Sequence, residues 1–327
     1  MVSDMTSAPI AEVIIGSMDC AETSSFLQLF GFAQISEVSF TKSQSKVLFG
    51  VADVSQPARR LAAPLSPRSA TLCVVPIIGN SLAQSREFSQ QGWAHGPRAL
   101  DIYTTDLDSA VAEVAAAGFA VSSEGVLAAG PMRMRQVLIQ GPSQLPVVLV
   151  ETTHRRSSVC DLVEAPRFSE PHSVVWVVPE HHEELQRWVG LGWTAGNTIG
   201  FTDASIAEEL SLPEVPTPIT MTMLSDPLVA PIRLELMTFD NHSDLGEPGA
   251  VVKGSAAPLT GHLSTGIDSL VLEVDSLPSA VAQWAESCHI GTVVHGLDGL
   301  GWVRIETPGG VRVLLRGPVS AVGASTT

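Results

Sequence analysis

His172 opens an apolar run in "EPHSVVWVVPEHHEELQRWVGLGW" (Glu170–Trp193). An imidazole there can ligate a metal or be an ordinary strand residue, and the stretch alone leaves both open. Glu235 lies in "PIRLELM" (from Pro231), where strand alternation sets Arg233 and Glu235 on one face and Ile232, Leu234 and Leu236 on the other. A carboxylate so placed can move a proton or merely pair with its arginine neighbour. Tyr103 is the only tyrosine, so phenol-based acid–base chemistry would have to use it. His181 and His182 open an amphipathic segment and read as a solvated helix start. His95 and His262 stand in loops from which either could approach a cleft mouth. Trp176, Trp188 and Trp193 read as core. Cys20, Cys73, Cys160 and Cys288 form no CxxC pair and have no zinc-ribbon spacing, which predicts reduced thiols rather than a disulfide or zinc framework.

These residues are carried by a unit that occurs four times. Its copies are "AEVIIGSMDCAETSSFLQLFGF" (from Ala11), "ALDIYTTDLDSAVAEVAAAGF" (from Ala99), "HSVVWVVPEHHEELQRWVGLGW" (from His172) and "IDSLVLEVDSLPSAVAQWAESCHIG" (from Ile267). Each predicts a β-rich strand, a turn, an amphipathic helix and a glycine stop. Asp19, Asp106 and Asp275 stand at the strand-to-helix turn as capping carboxylates. Pro179 takes that place in the third copy. Gly31, Gly118 and Gly192 read as helix C-caps. Further strand-like runs follow, closed by "TLCVVPI", "LPVVLVE", "PIRLELM" and "VRVLLRG". The stretches "SQPARRLAAPLSPRS" and "DASIAEELSLPEVPTP" have the Pro/Ser density of surface connections. The fold class is therefore α+β, four βαβββ units. Residues 1–153 are expected to form one pair of units and 172–327 the other, with 154–171 as a linker.

This fourfold pattern resembles the vicinal oxygen chelate superfamily, which includes glyoxalase I, bleomycin-resistance proteins and extradiol dioxygenases. Its clearest marks here are "ALDIYTTDLDSAVAEVAAAGF" and "PIRLELM". The resemblance implies glyoxalase-like half-barrel clefts made by paired units. It also implies metal ligands from the first strand, seven residues before the turn residue, and from the fourth strand. The first-strand positions are Glu12, Ala99, His172 and Asp268; Glu235 is a fourth-strand position, with Val148 and Leu314 at its counterparts. The implied metal set is His172, Glu235 and Asp268, for a divalent ion such as Zn, Fe, Mn or Ni. The N-terminal half keeps only Glu12.

With a metal, the implied chemistry is Lewis-acid catalysis on an oxygenated, apolar or aromatic metabolite, by an isomerase, epimerase or lyase. Glu235, Glu12 or Tyr103 would then act as catalytic acid or base. The alternative is a metal-free binding or resistance protein, or a metal-free enzyme, using the same clefts. Extradiol oxygenation fits less well, because Asp268 and Leu314 stand where that subgroup needs histidine and glutamate.

Composition narrows the partners. With 18 Lys+Arg against 34 Asp+Glu, the net charge is −16, which argues against nucleic acid or an anionic membrane. Arg133 and Arg135 in "PMRMRQ" could position one carboxylate or phosphate. No apolar run reaches the length of a membrane span, and the N-terminal residues lack a signal-peptide pattern. The expectation is a cytoplasmic protein with a small-molecule substrate; a homodimer is one arrangement that would complete a cleft.

Overall fold

The computed structural model describes residues 8–319 apart from 52–53, 55, 64, 67–68, 78–94, 130–131, 163, 203, 210–217, 227–231 and 240–262; His262 lies outside the described residues. The first unit runs β1 (Ile10–Ser17), α1 (Cys20–Gln28), β2 (Ala33–Val38), α2 (Lys42–Phe49), β3 (Ala58–Ala62) and β4 (Thr71–Pro76). The second runs β5 (Gly96–Thr104), α3 (Leu107–Ala116), β6 (Ala120–Val121), β7 (Gly125–Ala129), β8 (Met132–Gln140) and β9 (Pro146–Thr152). The third contains β10 (Phe168–Val177), α4 (His181–Gly190), β11 (Thr194–Phe201), α5 (Ala204–Glu209), β12 (Ile219–Ser225) and β13 (Arg233–Phe239). The fourth contains β14 (Gly266–Glu273), α6 (Leu277–Trp284), β15 (His289–Ile290), β16 (Val294–His295), β17 (Gly301–Glu306) and β18 (Arg312–Gly317).

Local chemistry sets these boundaries. Asp19 caps α1 by accepting from the backbone N–H of Ala21 at 2.8 Å and of Glu22 at 3.0 Å, and Asp106 caps α3 through Ser109 at 3.0 Å. Gly31 and Gly192 end their helices at φ +83° and +91°, a left-handed conformation that glycine adopts without a Cβ clash. In the third and fourth units the helix starts one residue later than Pro179 and Asp275 suggest, at Glu180 and Ser276. Strand pairing explains the delay. Val178 N–H still donates to Met237 O at 2.9 Å, and Val274 N–H to Arg316 O at 2.9 Å.

The strands form two nine-stranded sheets. One has the order β15-β17-β18-β14-β1-β4-β3-β2 with β16 on β17; the other has β11-β12-β13-β10-β5-β9-β8-β6 with β7 on β8. Unit one is thus hydrogen-bonded to unit four through antiparallel β1 and β14, and unit two to unit three through antiparallel β5 and β10. This differs from the expected pairing within 1–153 and within 172–327. The connection from β9 to β10 covers residues 153–167, and residues 168–171 of the expected linker already belong to β10. Units two and three therefore lie side by side, and the first and last units pair with each other.

The helix-covered faces of both sheets share one apolar core. Phe26 of α1 meets Phe119 edge-on at 4.7 Å, and Trp188 of α4 meets Trp284 of α6 at 5.4 Å. Trp176, Trp188 and Trp193 are buried in this core, as expected. Two stretches read as surface connections each contain a regular element: one holds β3 with buried Leu61, the other α5 with buried Ile206 and Glu209.

Candidate functional site

The second sheet curves around a cavity of about 820 Å³. Its floor comes from alternate residues of the strands: Ala99, Asp101 and Tyr103 of β5, Val148 and Val150 of β9, and Arg233, Glu235 and Met237 of β13. The opposite faces, Leu100 and Ile102 or Leu234 and Leu236, enter the core. The alternation expected around Glu235 is therefore present, but its polar face turns into a cleft and Glu235 is only 4% exposed. Met134, Met221, Met223, Ile199 and Phe201 make much of the remaining wall apolar, and α5 adds Ile206 and Glu209.

Three polar groups meet on the floor. Ser173 Oγ donates to Asp101 Oδ2 at 2.7 Å and lies 3.5 Å from Glu235 Oε2. Ser173 thus bridges two carboxyls, each of which acts on the acidity of the other. Burial raises Asp101 to about 7, against the lowering effect of Ser173 and Arg233. Burial, then the neighbouring Asp101 charge, raises Glu235 to about 8. Glu209, buried beside Gln136 Nε2 at 2.8 Å, is also raised to about 8 by desolvation.

At one side of this pair His172 stacks on Tyr103, with ring centroids 3.8 Å apart and planes within 10°. Arg233 Nη2 lies 3.1 Å from His172 Nδ1 and 3.4 Å from the Tyr103 hydroxyl. Burial and the guanidinium groups of Arg233 and Arg156 hold His172 well below the usual imidazole value. A guanidinium can only donate, so Nδ1 accepts and the neutral ring carries its proton on Nε2. Burial pushes the Tyr103 phenol up, and Arg233 opposes this. Tyr103 is thus a neutral phenol bordering the site.

The other two expected site residues are in the other sheet. Glu12 receives hydrogen bonds from Arg60 Nε and Thr71 Oγ1, the latter at 2.8 Å. Asp268 accepts from Ser264 N–H and Ser264 Oγ, both at 3.0 Å, and pairs with Arg312 Nη1 at 3.2 Å. Burial alone would raise Asp268, but Arg312, Arg304 and Ser264 hold it below the ordinary carboxylate value. The concave side of this sheet is packed with Phe40, Phe49, Val54, Val271, Trp302 and Leu314. Buried Arg304 donates from Nη1 to Leu48 O at 2.7 Å, fixing the last turn of α2 in place.

The expected metal set of His172, Glu235 and Asp268 does not assemble, because Asp268 belongs to the opposite sheet. The cap positions explain the error: seven residues before Glu180 and Ser276 stand Ser173 and Ser269, not His172 and Asp268. Register agrees, since Ala99 pairs with Val175 as Ser173 pairs with Asp101. The four equivalent positions of the open cleft are therefore Ala99, Val148, Ser173 and Glu235, a single carboxylate. His172 offers no free lone pair and has a cation beside it. These residues do not fit a divalent ion, and among the described residues no group of three or more His, Cys, Asp or Glu could hold one. Asp101, Ser173 and Glu209 are the additions to the expected set. Asp101 had a readable signal, an acidic residue alternating with Ala99 and Tyr103; Glu209 had none. Arg135, expected to meet a substrate anion, is held by Glu124, Asp108 and Glu151 at 2.6–3.0 Å.

No family model and no curated protein matches the chain. Solved structures do match in fold. Glyoxalase I from Zea mays aligns at a TM-score of 0.60 and 11% identity, over 95% of this chain and 92% of that one. A presumptive dioxygenase from Bacillus subtilis aligns at 0.55 and 7% identity, over 98% and 89%. At such identities the likeness speaks for the arrangement of units and not for a reaction. The chain shares the fold of these solved structures, here built as four α+β units.

Proposed function

We propose that the chain is a glyoxalase-like isomerase or epimerase, working on an oxygenated apolar metabolite with the Asp101–Glu235 pair as its acid and base. The observation that carries this reading is the buried pair, bridged by Ser173, in an apolar cavity of about 820 Å³. Raised to about 7 and about 8, the two carboxyls retain a proton near neutrality. One can give a proton while the other takes one, and such matched acidities favour transfer at that pH. Ser173 orients the Asp101 carboxyl, and the apolar wall excludes water from the exchanging proton. We place this activity in the cytoplasm, where the four free cysteines stay reduced; no helix among the described residues is long and apolar enough to cross a membrane.

The test is deuterium wash-in. Incubated in heavy water with a panel of 2-oxo and 2-hydroxy compounds carrying alkyl or aryl chains, the protein should exchange one carbon-bound hydrogen of a panel member. The Asp101→Asn/Glu235→Gln variant should lose that exchange, and chelators should leave it intact. Exchange abolished by chelation and restored by a divalent ion would replace this reading with metal-dependent catalysis. The methionine-rich wall favours one second reading, a binding or resistance protein, because flexible thioethers adapt to varied apolar ligands. Stoichiometric binding with no exchange would decide for it.

A further inference from the structure

The arginines of this chain are heavily paired. Arg60 holds Glu12, Arg135 holds three carboxylates, Arg187 holds Glu184 and Arg312 holds Asp268. Arg233 differs. It lies half-buried on the cleft floor, and among the described residues no carboxylate oxygen is within 4 Å of its nitrogens. Its neighbours are neutral acceptors: His172 Nδ1 at 3.1 Å, the Tyr103 hydroxyl at 3.4 Å and His172 O at 3.5 Å. The stacked Tyr103–His172 pair fixes the side on which the guanidinium stands. Arg156 adds positive potential there, acting on His172 and Tyr103 from the neighbouring segment.

Beside this corner the wall is apolar: Met223 and Met221 of β12 pair with Glu235 and Met237 of β13, and Ile199 and Phe201 of β11 and Ile206 of α5 continue the lining. One cationic corner on a long apolar chamber has a specific complement. A guanidinium presents paired N–H donors that match the two oxygens of a carboxylate, and desolvation strengthens the contact. In a chain of net charge −16, the guanidinium groups of Arg233 and Arg98 line the cleft, and their positive potential draws an anion inward.

We propose that Arg233 anchors a single carboxylate, so that the cleft takes an apolar-bodied monocarboxylate with its chain along the methionine wall. The inference deepens the reading of this cleft as a small-molecule site; it requires a ligand there but not proton transfer. In that pose the carbons nearest the carboxylate lie toward Asp101 and Glu235, the strand neighbours of Arg233 on the same floor.

The test is calorimetric titration of the full chain with octanoate, 4-phenylbutyrate and 1-naphthaleneacetate, each beside its primary amide. The amide keeps the shape and loses the charge, so the comparison needs no variant. Carboxylates should bind at least tenfold more tightly than their amides. Arg233→Met should erase that preference while leaving amide affinity within about twofold, and Arg233→Lys should retain part of it. Equal binding of acids and amides, a preference that survives Arg233→Met, or no saturable binding of any carboxylate would each overturn the assignment. Loss of deuterium exchange in the Asp101/Glu235 variant with acid-over-amide binding intact would separate the two proposals: the anchor would stand whatever the chemistry.

Discussion

Replacing Glu235 by glutamine should make the protein more stable in alkali and change it little in acid. The sign of the titration sets the direction. Asp101 and Glu235 have folded values of about 7 and about 8, above their ordinary values of 3.8 and 4.5. The folded chain therefore holds more protons than the unfolded one between about pH 4 and pH 8, and its stability falls as pH rises through that window. One unit corresponds to about 1.4 kcal/mol. The rise of Glu235 from 4.5 to about 8 then sets a ceiling of roughly 5 kcal/mol lost by pH 9. Glutamine has the shape of the protonated acid and can donate to Asp101 in its place. At pH 5 the two proteins should melt within about 2 °C of each other. At pH 9 the variant should be more stable by several kcal/mol and melt on the order of 10 °C higher. Thermal melts by circular dichroism across pH 5–9 at fixed ionic strength measure this. His172 works in the opposite direction: its depressed value makes acid destabilising below about pH 6. It and Glu209 are common to both proteins and cancel in the difference. Parallel curves from pH 5 to 9 would refute the reasoning, since Glu235 would then titrate alike in folded and unfolded chains.

Two further outcomes follow from the same contacts. Ser173→Ala removes the 2.7 Å donor to Asp101, so the acid limb of the deuterium-exchange pH profile should move to higher pH while stability at pH 5 changes by about 1 kcal/mol or less. Arg304→Met removes the buried bond to Leu48 O at 2.7 Å and leaves Asp268 with less compensating charge; a loss of about 2–4 kcal/mol in denaturant unfolding, with ligand binding in the other sheet unchanged, is expected.

The repeat was readable because its cues are local. Carboxylate caps at Asp19 and Asp106, glycine stops and alternating closing strands each depend on a few neighbouring residues. Glu235 was readable for the same reason: alternation fixes its face whatever packs there. Pairing was not, because β1 meets β14 across most of the chain and no short-range pattern encodes that choice. The ligand positions failed on a single residue. Pro179 fits a first helical turn, yet Val178 is still paired to β13, so the count from the turn landed on His172 instead of Ser173. A register shift between Pro171 and Ser173 leaves His172 bordering the cleft as well, so the count missed the position and not the face.

The two concave faces show how the same scaffold becomes a plug or a site. Each has one carboxylate at its four equivalent positions, Glu12 in one and Glu235 in the other. Glu12 meets Arg60 and Thr71, so its charge is compensated within its own unit. Above it, α2 carries Phe49 and Leu48 into the concavity, where Phe40 and Trp302 complete the filling. In the other sheet the residue facing Glu235 is Asp101, a second acid where the first sheet has apolar Ile14 at the matching place. Two carboxyls without a salt-bridged partner destabilise the charged state of that floor, a cost which a purely structural face can avoid by apolar substitution. The corresponding helix, α5, covers the cavity with Ile206 and Glu209 without filling it. Protonated acids, an arginine with no carboxylate partner among the described residues and retained volume occur together on this one face, and their combined cost is accounted for if a ligand supplies the missing contacts.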